Sequence, residues 1–425
     1  MKDFFEYDCV IVGAGASGLF SASLLSRASI NCAIVETNNK IGAKLLQTGN
    51  GKCNFTNLNL TVNNYQNQDR VKAFEIIKEF DNKKLIEYFK SLGVFPKIRE
   101  GYVYPRSETA LSVVNALRLD IESRKVKRFL NCRFKSFKKE GEDFLINCSE
   151  KLEDRDIDIT IKAKNLIIAC GTNASIDNKR KSNQEEFLKK MSIKYNKFLP
   201  ALVALKTDNN YIKLAKGVRA LGRVSIIVNG KELASDTGEI QYTDYGISGI
   251  PVFQVSRFAT KALDEKLKVY ASLDITPDFK EEELKENVEF IVKNGQRKAL
   301  REIFDGLINH KLMEFILKNI GLDLDLKGEN LSPKDIDKIC KALKKTSLSI
   351  VDSKGENFAQ VLQGGVLFSE LTANLEAKKY SGLYFCGEIV DVDAMCGGYN
   401  LQWAFSSAYK VSRKIIGEAS GSRSN

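Results

Sequence analysis

The hydrophobic pattern opens with an apolar run, Cys9-Val10-Ile11-Val12, then glycines, then Leu19, Ala22, Leu24 and Leu25 at helical spacing. Strand, glycine turn and helix therefore follow one another. A second run, Cys32-Ala33-Ile34-Val35, completes a βαβ unit and ends in Glu36. Residues 38–57 lack periodicity and are rich in glycine and asparagine, which reads as a long loop. Helical periodicity spans Val71 to Leu92 and again Thr109 to Arg124, and from Lys127 to Cys148 the pattern turns β-like. The segment Leu166-Ile167-Ile168-Ala169-Cys170 is wholly apolar and stops at Gly171, as a buried parallel strand entering a crevice does.

Between about Asn196 and Pro277, short alternating runs broken by Asn229-Gly230 and Asp236-Thr237-Gly238 predict a small antiparallel barrel or sheet. Phe279 to Leu343 reads as charged amphipathic helices, one of them opened by Pro333 behind the cap Ser332. The chain then returns to a strand, Leu383-Tyr384-Phe385-Cys386-Gly387, and to a helix starting near Gly398, so its two ends are expected to rejoin. The polar tail from Glu418 to Asn425 is expected to fray. This gives five segments: 1–195 and 369–425 as two parts of one domain, 196–278 and 346–368 as a β-rich domain, and 279–345 as a helical insertion.

Composition narrows the chemistry. The 425 residues are long enough for two or three domains, and the acidic start Met1-Lys2-Asp3-Phe4-Phe5-Glu6 resembles neither a signal peptide nor a membrane span. Nine scattered cysteines without a C-x-x-C pair fit a reducing cytosol, so a cytoplasmic location is expected. The single histidine, His310, leaves no room for His-type metal sites or for Ser-His and Cys-His catalysis, and no metal is expected. A formal charge of +11 comes from lysines interleaved with acids, as in Lys280-Glu281-Glu282-Glu283-Leu284-Lys285, the pattern of solvated helix faces. That distribution argues against a nucleic-acid partner.

The glycine turn carries the first functional signal. Gly13-x-Gly15-x-x-Gly18 lies between strand and helix, and Glu36 follows about 20 residues later, the arrangement of a dinucleotide site. Gly13 permits the tight turn, Gly15 lets backbone approach a pyrophosphate, and Gly18 lets the helix pack on the strand. Phosphates then face the helix amino end, and Glu36 accepts from an adenosine ribose. This motif does not separate NAD from FAD. The 38–57 stretch reads either as a segment over an anionic cofactor or as a mobile surface loop.

Four further stretches are more specific: Lys44-Leu45-Leu46-x-Thr48-Gly49-Asn50-Gly51-Lys52-Cys53-Asn54-x-Thr56-Asn57; Tyr104-Pro105-x-Ser107; Tyr245-Gly246-Ile247-Ser248-Gly249; and Gly387-Glu388-x-x-Asp391-x-Asp393-x-x-x-Gly397-Gly398-Tyr399-Asn400-Leu401-Gln402-Trp403-Ala404. Through them the chain resembles, over nearly its whole length, the aminoacetone oxidase and BaiN-like family of FAD-dependent flavoproteins, within the two-dinucleotide-binding superfamily. The resemblance implies a Rossmann-like α/β FAD-binding domain with an inserted antiparallel β-barrel-like domain and a helical subdomain that cover the flavin face. It also implies FAD as the resident cofactor, held by Gly13, Gly15, Ala16, Ser17, Gly18, Glu36, Lys44, Thr48, Gly49, Asn50, Gly51, Cys53, Asn54, Phe134, Gly171, Gly387, Glu388, Asp391, Gly398, Tyr399, Asn400 and Leu401.

Within that set Glu388 and Asp391 would accept from ribityl hydroxyls, and the helix start at Gly397-Gly398 would aim N–H groups at flavin C2=O. Helix capping or loop solvation is the other reading of Asp391 and Asp393. The chain departs from the family pattern at Ala394 and Cys396, where glycine and threonine are common, and at Thr172, where a second glycine is common. Lys52 stands where arginine is frequent, which keeps the charge and loses the bidentate fork.

The implied activity is oxidoreduction of a small molecule by hydride transfer through flavin N5, with precedents in aminoacetone-type oxidases and in ene reductases that draw on NAD(P)H as a transient donor. A tRNA-binding or tRNA-modifying flavoprotein and a flavin-binding protein without turnover are the alternatives. No residue is assigned as catalytic; Tyr399 and Cys53 lie near the inferred site and read as structural. Substrate, electron acceptor and oligomeric state are not set by these patterns.

Overall fold

A computed structural model describes residues 4–152, 155–175 and 184–422. The chain divides into two compact units, one of residues 1–198 and 361–425, the other of residues 199–360.

In the first unit the chain runs through β1 (Phe4–Val12), α1 (Ala16–Arg27), β2 (Cys32–Val35), α2 (Ala43–Gly51), β3 (Thr56–Asn57), α3 (Arg70–Glu79), α4 (Asn82–Ser91), β4 (Pro96–Arg99) and β5 (Tyr102–Pro105). It continues with α5 (Ala110–Ser123), β6 (Lys127–Phe129), β7 (Cys132–Glu140), β8 (Asp143–Leu152), β9 (Arg155–Ile168), α6 (Gln184–Lys190) and β10 (Tyr195–Ala201).

The second unit holds β11 (Leu205–Thr207), β12 (Arg219–Val228), β13 (Lys231–Tyr242), β14 (Gly246–Ser248), α7 (Ile250–Asp264), β15 (Val269–Asp274), α8 (Glu281–Asn294), α9 (Leu300–Ile303), α10 (His310–Asn319), α11 (Pro333–Lys344) and β16 (Thr346–Ser353). The chain then re-enters the first unit through β17 (Val361–Val366), β18 (Leu383–Phe385) and α12 (Tyr399–Ser422).

The first unit is a Rossmann-type sheet. β1 lies between β2 and β9, all parallel, with Cys9 opposite Cys32 and Val12 opposite both Val35 and Ile168. β6 extends the sheet beside β2, and β18 lies parallel to the end of β9, Phe385 opposite Ile168. The hairpin of β7 and β8 pairs antiparallel with the earlier part of β9. The central strands are buried on both faces, which is why they read as continuous apolar runs without alternation. A separate three-stranded sheet, β3-β5-β4, holds the segment from Phe55 to Pro105 together.

The second unit is a closed six-stranded antiparallel barrel, β11-β14-β13-β12-β15-β16. Val224, Ile226, Ile240 and Leu273 of its strands share one hydrophobic cluster with Val255 and Ala259 of α7, Leu284 and Val288 of α8, Phe315 of α10 and Leu343 of α11. The helical segment and the barrel are thus one packed body.

Four local expectations change. Asp236-Thr237-Gly238 is not a turn but lies inside β13, paired with Gly222 to Val224 of β12. The periodicity from Val71 to Leu92 is two helices, because the Asp81 side chain accepts from the Lys84 N–H and starts a new one. Residues 38–57 are not a bare loop: 43–51 wind as a helix kinked at Thr48, Gly49 and Asn50, where the backbone leaves helical angles. The tail is helical through Ser422, and residues 423–425 of the expected frayed segment lie outside the described residues.

One polar staple joins three helices of the first unit. Arg27 of α1 donates from Nε and Nη2 to both oxygens of Asp120 on α5, at 3.0 and 2.6 Å, and Ser23 links Asp120 to Tyr88 of α4. Burial pushes the Asp120 carboxyl up, but the bonds from Arg27 and Ser23 outweigh it and hold the group below its usual range. A depressed folded pKa stabilises the fold above the unfolded value of about 3.9 and loses that contribution as pH falls through the folded value. Urea unfolding at pH 7 and pH 3 is therefore expected to show a smaller stability difference in Asp120→Asn than in the wild type; an equal difference would remove Asp120 from the acid response.

Candidate functional site

The three glycines of the first turn differ in what demands them. Gly13 has φ +105, and a Cβ there would lie 2.6 Å from the Ala169 carbonyl oxygen. A Cβ on Gly18 would lie 1.9 Å from the Gly13 carbonyl oxygen, so the close seating of α1 on the strand end needs glycine. Gly15 is the N-cap of α1 with extended backbone, φ −81 and ψ −165, and a Cβ there meets no protein atom within 4 Å. Nothing in the fold itself requires glycine at position 15. The first helical bond runs from the Leu19 N–H to the Gly15 carbonyl at 3.0 Å, so the N–H groups of Ala16, Ser17 and Gly18 have no acceptor within the helix. The Ser17 side chain is turned to the carboxyl-terminal segment: its Oγ lies 2.5 Å from where a Gly387 Cβ would stand.

Glu36 follows β2, and its carboxylate is held from two sides. Oε2 accepts the Ala14 N–H at 2.7 Å, and Oε1 accepts the Asn38 N–H and side-chain amide at 2.8 and 2.7 Å. A carboxylate has about four lone-pair sites, so capacity for further donors remains. Beside it opens a cleft of about 240 Å³ whose walls include Val12, Gly13, Glu36, Phe134, Gln184 and Phe187. Asn38, Gln184 and Phe187 were not picked out from the sequence. Asn38 follows Glu36 closely enough for its amide to have been suspected; α6 carries no motif.

The carboxyl-terminal segment meets this turn. The Gly387 N–H donates to Ser407 Oγ at 2.9 Å, and the Gly387 carbonyl accepts the Trp403 indole N–H at 3.0 Å. Lys44 of α2 pairs with Glu388 Oε2 at 2.5 Å, and a Cβ on Gly171 would lie 3.7 Å from that same oxygen. Glu388 Oε1 is buried with no hydrogen-bond partner among the described residues. A buried, unpartnered carboxylate oxygen carries a large desolvation cost unless a donor reaches it.

The kinked α2 leads into a turn in which Gly49, Asn50, Gly51 and Cys53 all have positive φ. The Cys53 N–H returns to the Thr48 carbonyl at 3.0 Å, while Thr48 Oγ1 donates to the Leu45 carbonyl at 2.7 Å. The turn then docks on the start of α12. A Cβ on Gly398 would be 2.6 Å from the Thr56 carbonyl oxygen and 2.9 Å from Asn54 Oδ1. Asn57 Nδ2 donates to the Gly397 carbonyl at 3.0 Å, and Asn54 Oδ1 accepts the Val103 N–H at 3.2 Å.

Several of the expected residues have structural partners. The Asn400 side chain clamps Ala394 through both its amide oxygen and nitrogen, each at 2.9 Å. The Tyr399 phenol donates to the Asn59 carbonyl at 3.4 Å, and Asp391 Oδ2 accepts from Asn196 Nδ2 at 2.7 Å. Leu401 is half-buried in the first turn of α12. Phe134 stands at the other end, packed edge-on against Phe187.

Burial pushes the Cys53 thiol up to about 12, against a smaller lowering by Thr48, and Cys386 likewise to about 12. Neither is a thiolate at neutral pH. His310 is exposed at the start of α10. Among the described residues no group of three His, Cys, Asp or Glu is placed to hold a metal ion, and no helix is long and apolar enough to cross a membrane.

Comparison with known proteins follows the same outline. Residues 7–414 match the family described as the HI0933-like protein Rossmann domain. The chain is 34% identical over 406 residues to the 3-dehydro-bile acid delta(4,6)-reductase of Clostridium scindens, covering 95% of this chain and 97% of that one. It is 25% identical over 411 residues to the ribosomal RNA dihydrouridine synthase of Haemophilus influenzae, covering 96% and 98%. Among solved structures, the 3-ketosteroid-delta4-(5alpha)-dehydrogenase of Rhodococcus jostii RHA1 shares the fold at a TM-score of 0.51 and 13% identity, covering 98% of both chains.

Proposed function

The chain belongs to the HI0933-like Rossmann family of FAD-dependent oxidoreductases, and from that premise we propose that it saturates a carbon–carbon double bond conjugated to a carbonyl in a small, largely apolar substrate, with NAD(P)H as electron donor. The ene-reductase precedent is preferred over the amine-oxidase one because the bile-acid reductase is similar along almost the entire chain.

Glu388 carries the cofactor reading. Its Oε1 is buried and orphaned, while Lys44 ties down Oε2, which faces Gly171. A ribityl hydroxyl is the kind of donor that completes it. Gly15, free of any protein contact at its Cβ position, lets backbone N–H groups of α1 come close to a pyrophosphate. Glu36, oriented by Ala14 and Asn38, accepts from the adenosine ribose. The open N–H groups at the start of α12 favour negative charge on the flavin pyrimidine ring, and the turn from Thr48 to Asn54 lies over the same end. When bound, FAD supplies a carrier that takes up and releases two electrons as hydride. The protein residues orient it and exclude water.

A second reading places the double bond in a pyrimidine base of RNA, and the similarity to the ribosomal RNA dihydrouridine synthases favours it, at lower identity. The interleaved charges speak for the small molecule.

The test is direct. The purified protein is expected to be yellow and to release FAD on denaturation. NADH or NADPH should bleach it anaerobically, and a steroid 4,6-dien-3-one should restore the colour while ribosomal RNA does not. A colourless protein that FAD cannot reconstitute would overturn the cofactor; recolouring by RNA alone, or by oxygen after reduction with an amine, would overturn the substrate.

A further inference from the structure

The strand β5, which carries the Tyr104-Pro105 motif, sorts its residues by face. Val103 and Pro105 are buried, while Tyr102 and Tyr104 stand half-buried on the other side. Tyr102 lies in register between Asn57 of β3 and Arg99 of β4, and Tyr104 lies opposite Lys97. Residues directly opposite on antiparallel strands project to one side, so this face of the small sheet carries two phenols, a carboxamide and two cations. Lys97 and Arg99 share Glu108, at 2.6 Å each, which leaves one positive charge in excess.

The same face meets the start of α12. A Cβ on Gly397 would lie 3.1 Å from Cε1 of Tyr102 and 2.9 Å from Cε2 of Tyr399, so the two rings flank that glycine. Tyr104 packs instead toward Gly49, its Cε1 3.8 Å from where a Cβ would stand. Burial first, and the Tyr102 phenol second, push Tyr399 above the usual phenol value, and the same two causes lead for Tyr104. Tyr102 is therefore within electrostatic reach of both.

Saturating a conjugated double bond takes a proton as well as a hydride, and a side chain must deliver it. Resting on the reading above, we propose that Tyr102 is the acid that protonates the substrate, at the double-bond carbon nearer the carbonyl. The hydride, drawn from NAD(P)H through the bound cofactor, brings its electron pair to the farther carbon and forms a C–H bond there. The double-bond electrons shift toward the carbonyl as an enolate. They then take the proton of the Tyr102 hydroxyl at the nearer carbon; the phenol O–H bond breaks, and the phenolate regains a proton from water. Arg99, directly across the strand pair, favours the phenolate while it lasts. Asn57 holds the arrangement together from the other side, since its Nδ2 donates to the Gly397 carbonyl at 3.0 Å. Tyr399 is committed to the Asn59 carbonyl at 3.4 Å, and Tyr104 to the Gly49 side. Tyr102 is the phenol left to meet a substrate at the start of α12.

The experiment compares full-length wild type, Tyr102→Phe and Tyr104→Phe, each loaded with FAD. Four quantities are read: FAD affinity, affinity for the steroid 4-en-3-one product by its perturbation of the flavin spectrum, anaerobic bleaching by NADH or NADPH, and recolouring by a steroid 4,6-dien-3-one. Tyr102→Phe is expected to keep the first three at wild-type values and to recolour about 100-fold more slowly, the usual contribution of a positioned acid. Tyr104→Phe should match the wild type in all four. Recolouring of Tyr102→Phe at the wild-type rate overturns the assignment, as does an equal or larger slowing in Tyr104→Phe. Weakened FAD or product binding in Tyr102→Phe also overturns it, by making the phenol a packing group. These outcomes leave the enone reading intact. A wild type that NAD(P)H bleaches but the dienone does not recolour overturns that reading, and the role of Tyr102 falls with it.

Discussion

Gly15→Asp is expected to keep the apoprotein as stable as the wild type, or slightly more so, while lowering FAD affinity on the order of 100-fold, about 2.7 kcal/mol. The two halves of this expectation come from different facts. Position 15 is the N-cap of α1 with extended backbone and an open Cβ direction, and aspartate is among the favoured residues at such a cap. Its charge also interacts well with the helix amino end. The same carboxylate, however, stands where a pyrophosphate must approach backbone, and like charges at short range repel strongly in a partly desolvated site. Gly18→Ala inverts the pattern. Its Cβ would lie 1.9 Å from the Gly13 carbonyl oxygen, so the apoprotein itself should melt at lower temperature. Thermal scans of both apoproteins with FAD titrations of each check this; a destabilised Gly15→Asp that still binds FAD would show that the open space at Gly15 has no relation to a cofactor.

The sequence spoke most clearly where one residue's neighbours are its own chain neighbours. The β1–α1 turn was legible because strand, glycine spacing and helix are contiguous, and the barrel because its strands alternate and Asn229-Gly230 marks the β12–β13 hairpin, whereas Asp236-Thr237-Gly238 misled because it lies inside β13. Contacts closed through space were not. Nothing near Ser17 announces that it packs on Gly387, nor near Lys44 that its partner is Glu388, more than three hundred residues on. The 38–57 stretch looked structureless because a helix interrupted by three residues in non-helical conformation erases periodicity. Its order comes from the start of α12 and from β5, elements far along the chain. Phe187 and Gln184 were invisible for a related reason: α6 is too short to show a pattern, and only the cleft gives its residues a role.

Trp403→Ala is expected to cost about 3–5 kcal/mol of stability, a large part of the roughly 5–15 kcal/mol that holds a typical domain together. Trp403 is 1% exposed and is among the largest fully buried side chains. Trp403→Phe separates packing from polar anchoring. It keeps most of the apolar burial but removes the indole N–H that donates to the Gly387 carbonyl, which then keeps only the Val390 N–H at 3.2 Å, a loss of about 0.5–1.5 kcal/mol. Gly387 is held at both ends by one turn of α12, since Ser407 Oγ accepts its N–H and itself donates to the Trp403 carbonyl at 2.7 Å. That turn of helix fixes the peptide immediately before Glu388. Loosening it displaces the carboxylate from the hydroxyl it serves, so the phenylalanine variant should release FAD faster than its modest drop in urea midpoint suggests. Trp403→Phe combined with Ser407→Ala should exceed the sum of the single effects on FAD dissociation, because the two groups hold one residue, Gly387, through the two peptides that flank it. Strict additivity, measured by stopped-flow release into excess FMN, would mean that α12 supports the fold without positioning Glu388.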